Sequence, residues 1–387
     1  MLQQYFADMH IHIGRDMFNQ PVKITASPAL TLTNILMEAS RRKGIHMVGV
    51  IDSQAPAVQQ EINQLIKQGK AYELDGGGIR FEQVTLILGS EIEIYDSNCK
   101  GPIHALCYFP TLKHMKAFSS WLAHHMKNIT LSSQRYYGSA TLLQAKVKEL
   151  EGLFIPAHVF TPFKSLYGKG VKTSLTEVLD PEKIDGIELG LSSDTSMADH
   201  IEELHQYTYI SNSDAHSLAK IAREYQEMTM EEPSFNELNQ VLHERNGRGV
   251  NRNFGMNPKL GKYYTTVCSE CFTSIEPQED ACSHCQSQKV TKGVFDRIQE
   301  LANSEGKLSN RPPYLHQVPL EYLPTLGPKT FDKLLAAFQT EMNVIHHVSL
   351  HELKEVIPEK LAQMIVDMRE GKLKIDAGGG GKYGKVL

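Results

Sequence analysis

The chain has 387 residues, of which 41% are hydrophobic and 22% charged, and its formal net charge is −5. This length exceeds that of one ordinary domain, so we expect a large domain with one or two smaller modules. The negative charge excludes a surface coated with cations, so any contact with nucleic acid needs local basic patches. The N-terminus lacks the basic and apolar regions of a signal peptide, and no apolar run reaches 18 residues. We therefore expect a cytoplasmic protein that does not interact with membranes.

Short apolar runs rich in β-branched residues alternate with helical patterns over the first 230 residues. Apolar residues three or four positions apart predict helices at 33–43, 112–126, 141–150 and 197–205. This alternation is typical of an α/β protein with a parallel sheet or a barrel. The seven predicted strands are residues 6–12, 45–51, 84–88, 103–109, 153–158, 186–189 and 208–211.

Potential metal ligands end or closely follow most of these strands. Since the C-terminal strand ends of α/β sheets and barrels converge on the active site, we expect these side chains to meet in one cavity. They are His10 and His12 (first strand), Asp52 (second), Glu91 (third), His158 (fifth), and Asp214 and His216 (seventh), whereas His104 begins the fourth strand and follows the rule less closely.

The first of these motifs, Asp8-Met-His10-Ile-His12, places its three polar side chains on one face of a strand. Two imidazoles at this spacing can bind one ion, and Asp8 is better suited to orient a histidine than to bind metal. Carboxylates such as those of Glu91 and Asp214 can bridge two cations. Each motif alone fits an ordinary core or surface residue, but their joint order indicates a multi-metal centre that binds phosphate.

This order resembles the PHP superfamily (polymerase and histidinol phosphatase), whose members are distorted seven-stranded βα barrels. The resemblance covers about residues 1–230. It implies that Asp214, Glu91, His10 and His12 are the catalytic ligands, with Asp214 and Glu91 the least replaceable. The matching motifs are Asp8, His10 and His12; Gly89 and Glu91; His104; His158; and Asp214 and His216. By this resemblance His10, His12, Glu91 and Asp214 would hold one divalent ion, and Glu91, His104 and His158 a second.

A third ion is left open by one departure from the family pattern. Where the family has threonine-aspartate-histidine after the second strand, this chain has Ile51-Asp52-Ser53. Only Asp52 and His216 clearly match the third site, with Asp16 as a loose alternative. The mixed imidazole and carboxylate ligands suit Zn²⁺, Mn²⁺ or Mg²⁺, so we expect two or three such ions.

A Cys₄ zinc site is predicted by two Cys-x-x-Cys units separated by ten residues. Four thiolates leave no open position on the metal, so the site should be structural. Its ligands are Cys268, Cys271, Cys282 and Cys285. Around it we expect a catalytic barrel at 1–245, a linker at 246–262 on account of its Gly and Asn content, a zinc module at 263–292 and a helical module at 293–387.

Two segments are interpreted as DNA-binding. The turn around Gly327 and Lys329 precedes a helix and resembles the hairpin of a helix-hairpin-helix module, in which backbone N–H groups bind phosphate. A plain turn between two helices fits equally well. Arg248 and Arg252 lie in a basic stretch that also fits a solvated linker.

The barrel, the Cys₄ ribbon and the helical end together resemble the endonuclease Q family of DNA-repair nucleases. Residues 158–168, 188–194 and 210–214 are similar to that family, as is the ending at 377–384. The resemblance implies metal-dependent cleavage of DNA on the 5′ side of deaminated bases (uracil, hypoxanthine, xanthine) or abasic sites, by an enzyme that associates with the nucleoid. Phe160, Phe163 and Tyr167 are candidates for stacking on an extruded base, although such aromatic residues also fit a core. The alternatives are a small-molecule phosphoesterase and an inactive DNA-binding adaptor.

Overall fold

The computed structural model describes residues 1–261, 263–275, 281–306, 308, 310–376 and 384–386. Within these ranges, no helix is both long enough and apolar enough to cross a bilayer. Residues 377–383, which contain most of the ending that resembles the endonuclease Q terminus, lie outside the described residues.

The strands of the described chain form one large mixed sheet and three small two-stranded sheets. The large sheet has the order β15-β12-β11-β1-β2-β5-β4-β3, and β6, β7 and β8 attach through β5 and β6. Strand bounds are β1 Gln3–Ile11, β2 Met47–Val50, β3 Ala71–Glu73, β4 Ile79–Phe81, β5 Val84–Ile94, β6 Ile103–Phe109, β7 Arg135–Tyr136, β8 Leu153–Pro156, β9 Ile187–Glu188, β10 Tyr209–Ile210, β11 Tyr225–Met230, β12 Gly249–Gly255, β13 Val267–Cys268, β14 Val290–Thr291, β15 Tyr314–His316, β16 Ile375–Asp376 and β17 Lys385–Val386.

The helices cover the sheet and build the C-terminal end. Several begin after a Ser or Thr whose side chain accepts a hydrogen bond from the first turn, as at Thr31, Thr111 and Ser234. Their bounds are α1 Leu32–Glu38, α2 Pro56–Lys67, α3 Leu112–Leu122, α4 Ala140–Glu149, α5 Thr195–Ala198, α6 Phe235–Leu242, α7 Val294–Leu301, α8 Pro328–Phe338, α9 Glu341–His346, α10 Leu350–Val356 and α11 Glu359–Arg369.

All seven predicted strands are present, as β1, β2, β5, β6, β8, β9 and β10. The pairing departs from an all-parallel barrel, because β6 runs antiparallel to both β5 and β8. Strands β9 and β10 form a separate parallel pair. The backbone N–H of Asp185, two residues before β9, donates a 3.0 Å hydrogen bond to the carbonyl of Phe154 in β8. The mixed α/β fold is confirmed, while closure of a seven-stranded barrel stays a prediction.

The segment predicted as a linker contains a strand of the main sheet. Residues Gly249–Gly255 form β12, which pairs antiparallel with β11 and parallel with β15. Its Asn253 is buried and donates its side-chain amide to the carbonyl of Tyr209. The Gly and Asn content that indicates a linker is accommodated here because tertiary hydrogen bonds satisfy the polar groups. The predicted boundary at residue 245 therefore falls within the main sheet.

The C-terminal helices pack on the N-terminal region through buried polar contacts, one to the helical segment Ala39–Lys43 and one to the sheet. Lys43 and Glu341 form an ion pair of 2.6 Å, and both are almost completely buried. The imidazole of His346 lies 2.7 Å from the hydroxyl of Tyr225 and stacks on Phe6. One continuous hydrophobic core therefore includes side chains of both regions. The helix-hairpin-helix assignment stays a prediction.

Candidate metal centre

Six of the predicted ligands converge at one edge of the sheet, in two groups whose ligand atoms lie within 4.8 Å of one another. The first group is His10, His12 and Asp214, and the second is Glu91, His104 and His158. His10 Nε2 lies 3.6 Å from Glu91 Oε1, so the groups adjoin. Strand β6 runs antiparallel to its neighbours β5 and β8. Its first residues, including His104, therefore lie beside the C-terminal ends of those strands.

The free ligand atoms fit a cation. Among the described residues, His10 Nε2, His12 Nε2, His104 Nε2 and Asp214 Oδ1 are buried and have no hydrogen-bond partner. Buried polar atoms without partners are costly, and the three that meet between His10, His12 and Asp214 indicate a cation site. His104 instead faces Glu91 through Nδ1, and its Nε2 lies 3.8 Å from Glu93 Oε2. His10 Nε2 and His12 Nε2 lie 3.5 and 3.4 Å from Asp214 Oδ1, a spacing that one ion could bridge.

Carboxylates behind the histidines fix their orientation. Glu188 Oε1 lies 2.9 Å from His10 Nδ1, and Asp52 Oδ2 lies 3.2 Å from His12 Nδ1. A neutral imidazole that donates its Nδ1–H to a carboxylate presents the Nε2 lone pair to a metal. Glu188 was not among the predicted ligands, although it lies one residue before the end of the predicted strand 186–189, where the strand-end rule could have found it.

Asp8 and Asp52 take roles that differ from the predictions. Asp8 accepts hydrogen bonds from the backbone N–H groups of Ser213 and Ala222, because its carboxylate points to the β10–β11 connection instead of to a histidine ring. Asp52 contacts His12 and the backbone of Ile13 and joins neither ligand group. His216 lines the cavity without joining either group.

The second group is centred on Glu91. Its Oε1 atom lies 2.8 Å from His104 Nδ1 and 3.3 Å from His158 Nε2, while Oε2 lies 3.3 Å from Lys23 Nζ. The hydroxyl of Ser133 also donates to Glu91. Although burial raises the pKa of the Glu91 carboxyl, His104 and Lys23 outweigh it and hold this pKa well below its ordinary value.

The carboxylates of the centre dominate its electrostatics. Burial lowers the pKa of His10, but the carboxylates of Glu188, Asp214 and Glu91 outweigh it and raise this pKa to about 10. Burial likewise raises the pKa of Asp214, while His10 and His12 lower it to well below its ordinary value. The site therefore attracts cations, either protons or metal ions.

Two of the ligands occupy a backbone region that L-residues rarely adopt. The φ angles of His158 and Asp214 are 32° and 45°. Such conformations cost about 1–3 kcal/mol and persist where surrounding contacts enforce them. For His158, the backbone N–H donates to Glu188 Oε2 at 2.8 Å, so the same carboxylate that orients His10 also positions His158.

A cavity of about 660 Å³ opens onto the ligands. Phe163 and Tyr263 line it, with their rings 5.4 Å apart, and Ile24 is 75% exposed at its rim. Phe160 and Tyr167 instead stack on each other in the core, because their rings are completely buried. Of the three aromatic residues predicted to contact a base, only Phe163 faces the cavity.

The four paired cysteines form a second cluster. Cys268 Sγ lies 3.5 Å from Cys285 Sγ, and Cys271 Sγ lies 3.5 Å from Cys282 Sγ. Tetrahedral ligation at about 2.3 Å per Zn–S bond would separate the sulfurs by roughly 3.8 Å, so the cluster fits a structural Zn²⁺. The predicted Cys₄ grouping is confirmed, whereas the identity of its metal stays a prediction.

The predicted DNA-binding residues lie in different surroundings. Arg248 is held by Glu237 at 3.0 Å and by Glu231 at 3.3 Å, so its charge is neutralised locally. Arg252 is half-exposed and lies 3.9 Å from Glu227. Gly327 and Lys329 are exposed at the start of α8, where a phosphate could approach.

Comparison with known proteins identifies close relatives of the whole chain. No family model matches the chain. The protein named uncharacterized protein YqxK of Bacillus subtilis (strain 168) is 52% identical over 385 residues and covers 100% of both chains. The lesion-specific endonuclease PfuEndoQ from Pyrococcus furiosus superposes with a TM-score of 0.86 at 31% identity, covering 99% of this chain and 95% of that one.

A second solved structure shows endonuclease Q with a 27-mer duplex substrate that has an abasic lesion at the active site. It superposes with a TM-score of 0.85 at 31% identity, over 99% of this chain and 96% of that one. The mixed sheet, with imidazoles and carboxylates clustered at the C-terminal ends of its strands, defines an α/β protein with a candidate metal centre and the PHP order of motifs. The chain belongs to the endonuclease Q family, as the resemblance predicted.

Proposed function

We propose that the chain is a metal-dependent DNA-repair endonuclease. It hydrolyses the phosphodiester on the 5′ side of deaminated bases (uracil, hypoxanthine, xanthine) or of abasic sites. The observation that carries the proposal is the convergence of unpaired ring nitrogens and carboxylates in a cavity large enough for a nucleotide. Full-length similarity to a lesion-specific endonuclease, and to a complex with lesion-containing duplex, supports DNA as the substrate.

The proposed centre has two divalent ions, held by His10, His12 and Asp214 and by Glu91, His104 and His158. Bound ions would polarise the scissile phosphate and lower the pKa of an attacking water. We propose Zn²⁺, Mn²⁺ or Mg²⁺ here and Zn²⁺ at the Cys₄ cluster. A third ion has less support, because neither Asp52 nor His216 joins either ligand group, although Asp52 Oδ1 is buried without a hydrogen-bond partner among the described residues.

The remaining side chains prepare the cavity for a phosphodiester. Glu188 and Asp52 hold His10 and His12 in fixed orientations, which lowers the cost of assembling the centre when DNA binds. Lys23 brings a cation to within 3.3 Å of Glu91, where a phosphate oxygen could approach. Phe163 offers an aromatic face for an extruded base, and extrusion is cheapest where base pairing is already weak.

Cleavage of end-labelled duplexes tests the proposal. Duplexes with uracil, hypoxanthine, xanthine, an abasic site or no lesion are incubated with Mg²⁺, Mn²⁺ or Zn²⁺ and with chelator. We expect metal-dependent cuts 5′ to each lesion, and mapping of the product ends separates these cuts from glycosylase-linked nicking. Asp214→Asn should abolish cutting while circular dichroism shows that the fold survives. Asp332→Asn, which removes an exposed carboxylate of α8, is the control.

Other results of the cleavage assay would favour one of the two alternative functions or refute the assigned centre. Release of phosphate from an aryl phosphate without nicking of DNA would favour a small-molecule phosphoesterase. Tight binding of lesion DNA without cutting under any metal would favour an inactive adaptor. Undiminished cutting by a folded Asp214→Asn variant would refute the assignment of the centre.

A further inference from the structure

A surface of alternating rings and cations lies next to the metal cavity. Its members are Tyr95, Arg135, Tyr137 and Lys127, and we call it the cation–aromatic surface. The Arg135 guanidinium carbon lies 4.9 Å from the Tyr95 ring centroid and 5.4 Å from that of Tyr137. Lys127 Nζ lies 5.9 Å from the Tyr137 centroid. The two rings are 39% and 48% exposed, so this surface is open to solvent.

The rings hold these cations without neutralising them. A cation over an aromatic face is attracted by the ring quadrupole, and no opposite charge is consumed. Among the described residues, neither Arg135 nor Lys127 has a carboxylate partner, whereas Arg248 is paired with Glu237. One donor of Arg135 binds the carbonyl of Tyr95 at 2.9 Å, which leaves several of its N–H groups for another acceptor.

Asp96, which follows Tyr95 in the sequence, is hydrogen-bonded to backbone N–H groups. Asp96 accepts hydrogen bonds from the N–H groups of Ala140 and Asn98, at 2.8 and 2.9 Å. Its charge is therefore partly compensated by these donors. The surface keeps a positive balance in a chain whose overall charge is −5.

The backbone connects this surface to the metal centre. Tyr95 directly follows β5, four residues after Glu91, which at about 3.3 Å per residue corresponds to roughly 13 Å. Arg135 pairs with Glu93 in the register of β5 with β7, and the preceding residue, Gln134, lines the metal cavity. Successive phosphates of one strand of stacked DNA are separated by about 3.4 Å along the helix axis, so a duplex whose axis follows β5 would bring roughly the fourth phosphate from the cleavage site to this surface.

We propose that the cation–aromatic surface binds backbone phosphates of the DNA strand flanking the cleavage site. This inference rests on the proposed function. Phosphates are its ligands because the free groups are N–H donors with positive charge, which recognise the backbone of any sequence. The contact would position the duplex without contributing to the choice of lesion.

Equilibrium binding of fluorescein-labelled duplexes to full-length protein tests this proposal by anisotropy. The Asp214→Asn background prevents cutting, and salt is varied from 50 to 200 mM. We expect Arg135→Ala to weaken binding about three- to tenfold and to reduce the slope of log K against log salt by about 0.9, equally for damaged and intact duplex. Tyr137→Leu should weaken binding about two- to fivefold, and Tyr137→Phe, which retains the ring, should bind as before.

Truncated duplexes and a matched cation provide the controls. Two duplexes are truncated two nucleotides from the lesion, one on each side. On the duplex that lacks the side contacting this surface, Arg135→Ala should bind as the Asp214→Asn background does. Lys70→Ala removes an exposed cation beside the edge strand β3 and should leave the salt slope unchanged. An unchanged slope for Arg135→Ala, or equal losses on long duplexes and on both truncated ones, would overturn the proposal. If the unsubstituted enzyme cuts no lesion but Arg135→Ala still weakens binding, the proposed function fails while the surface stands.

Discussion

Replacement of Glu188 by Gln should weaken metal binding while the fold survives. The Glu188 carboxylate lies 2.9 Å from His10 Nδ1 and accepts from Asn212 Nδ2 at 2.7 Å and from the backbone N–H of His158 at 2.8 Å. A glutamine has one acceptor oxygen for these three donors, and its amide would face another donor. Loss of such an orienting partner costs 10–100-fold in metal affinity, or about 1.4–2.7 kcal/mol. We expect this loss in Glu188→Gln.

The assay is a Mn²⁺ titration of full-length protein by calorimetry, together with the Mn²⁺ concentration at which DNA cleavage reaches half its maximum. Both should shift upward, and much of the cleavage rate should return at saturating metal. Glu203→Gln is the control, because Glu203 also accepts several hydrogen bonds, from Tyr167 and Leu175, outside the centre. A folded Glu188→Gln variant that binds Mn²⁺ as the unsubstituted protein does would refute the orienting role.

Other consequences concern stability, pH and the basic residues. Lys43→Met should destabilise the protein by about 3–5 kcal/mol in denaturant unfolding, because Glu341 is then buried without a partner. The double variant Lys43→Met/Glu341→Leu should recover part of this loss. The pKa of His10 in the metal-free protein is raised from 6.5 to about 10, so its contribution to stability is complete below pH 6.5 and is lost as the pH rises through about 10. The unfolding free energy of metal-free protein should therefore fall over this interval, and Mn²⁺ should reduce the fall. Arg248→Ala should leave the salt slope of DNA binding unchanged and lower the melting temperature, because Glu237 loses its partner. Cys271→Ser should release Zn²⁺, measured with a colorimetric chelator, and destabilise the module around it.

The sequence predicted the strands and most ligands of the centre because both follow local patterns. Apolar runs of strand length mark β1, β2 and β5, and the ligands lie at fixed offsets from their ends. The reversal of β6 could not be predicted in this way, because strand direction depends on pairing across the sheet. His104 therefore looked misplaced in the sequence, although the reversed strand brings it to the centre.

Interactions between distant residues account for the other differences. The position of Glu188 near a strand end could have been noted from the sequence, but its role as the partner of His10 and His158 could not, because they are 178 and 30 residues away. The neutralisation of Arg248 by Glu237 and the burial of Phe160 depend on tertiary packing that a linear pattern does not contain. β12 was read as a linker because polar strand residues are recognised only once their partners are known.

The pairing of β12 with both β11 and β15 has a consequence for how the molecule could be divided. A polypeptide ending near residue 245 would lack β12 and β15, so the outer edge of β11 would lose its partner. Such an edge is a template for association with other chains, so the shortened protein should aggregate. The catalytic region and the C-terminal segments therefore form one folding unit, in which gain or loss of a module would require a new way to protect that edge.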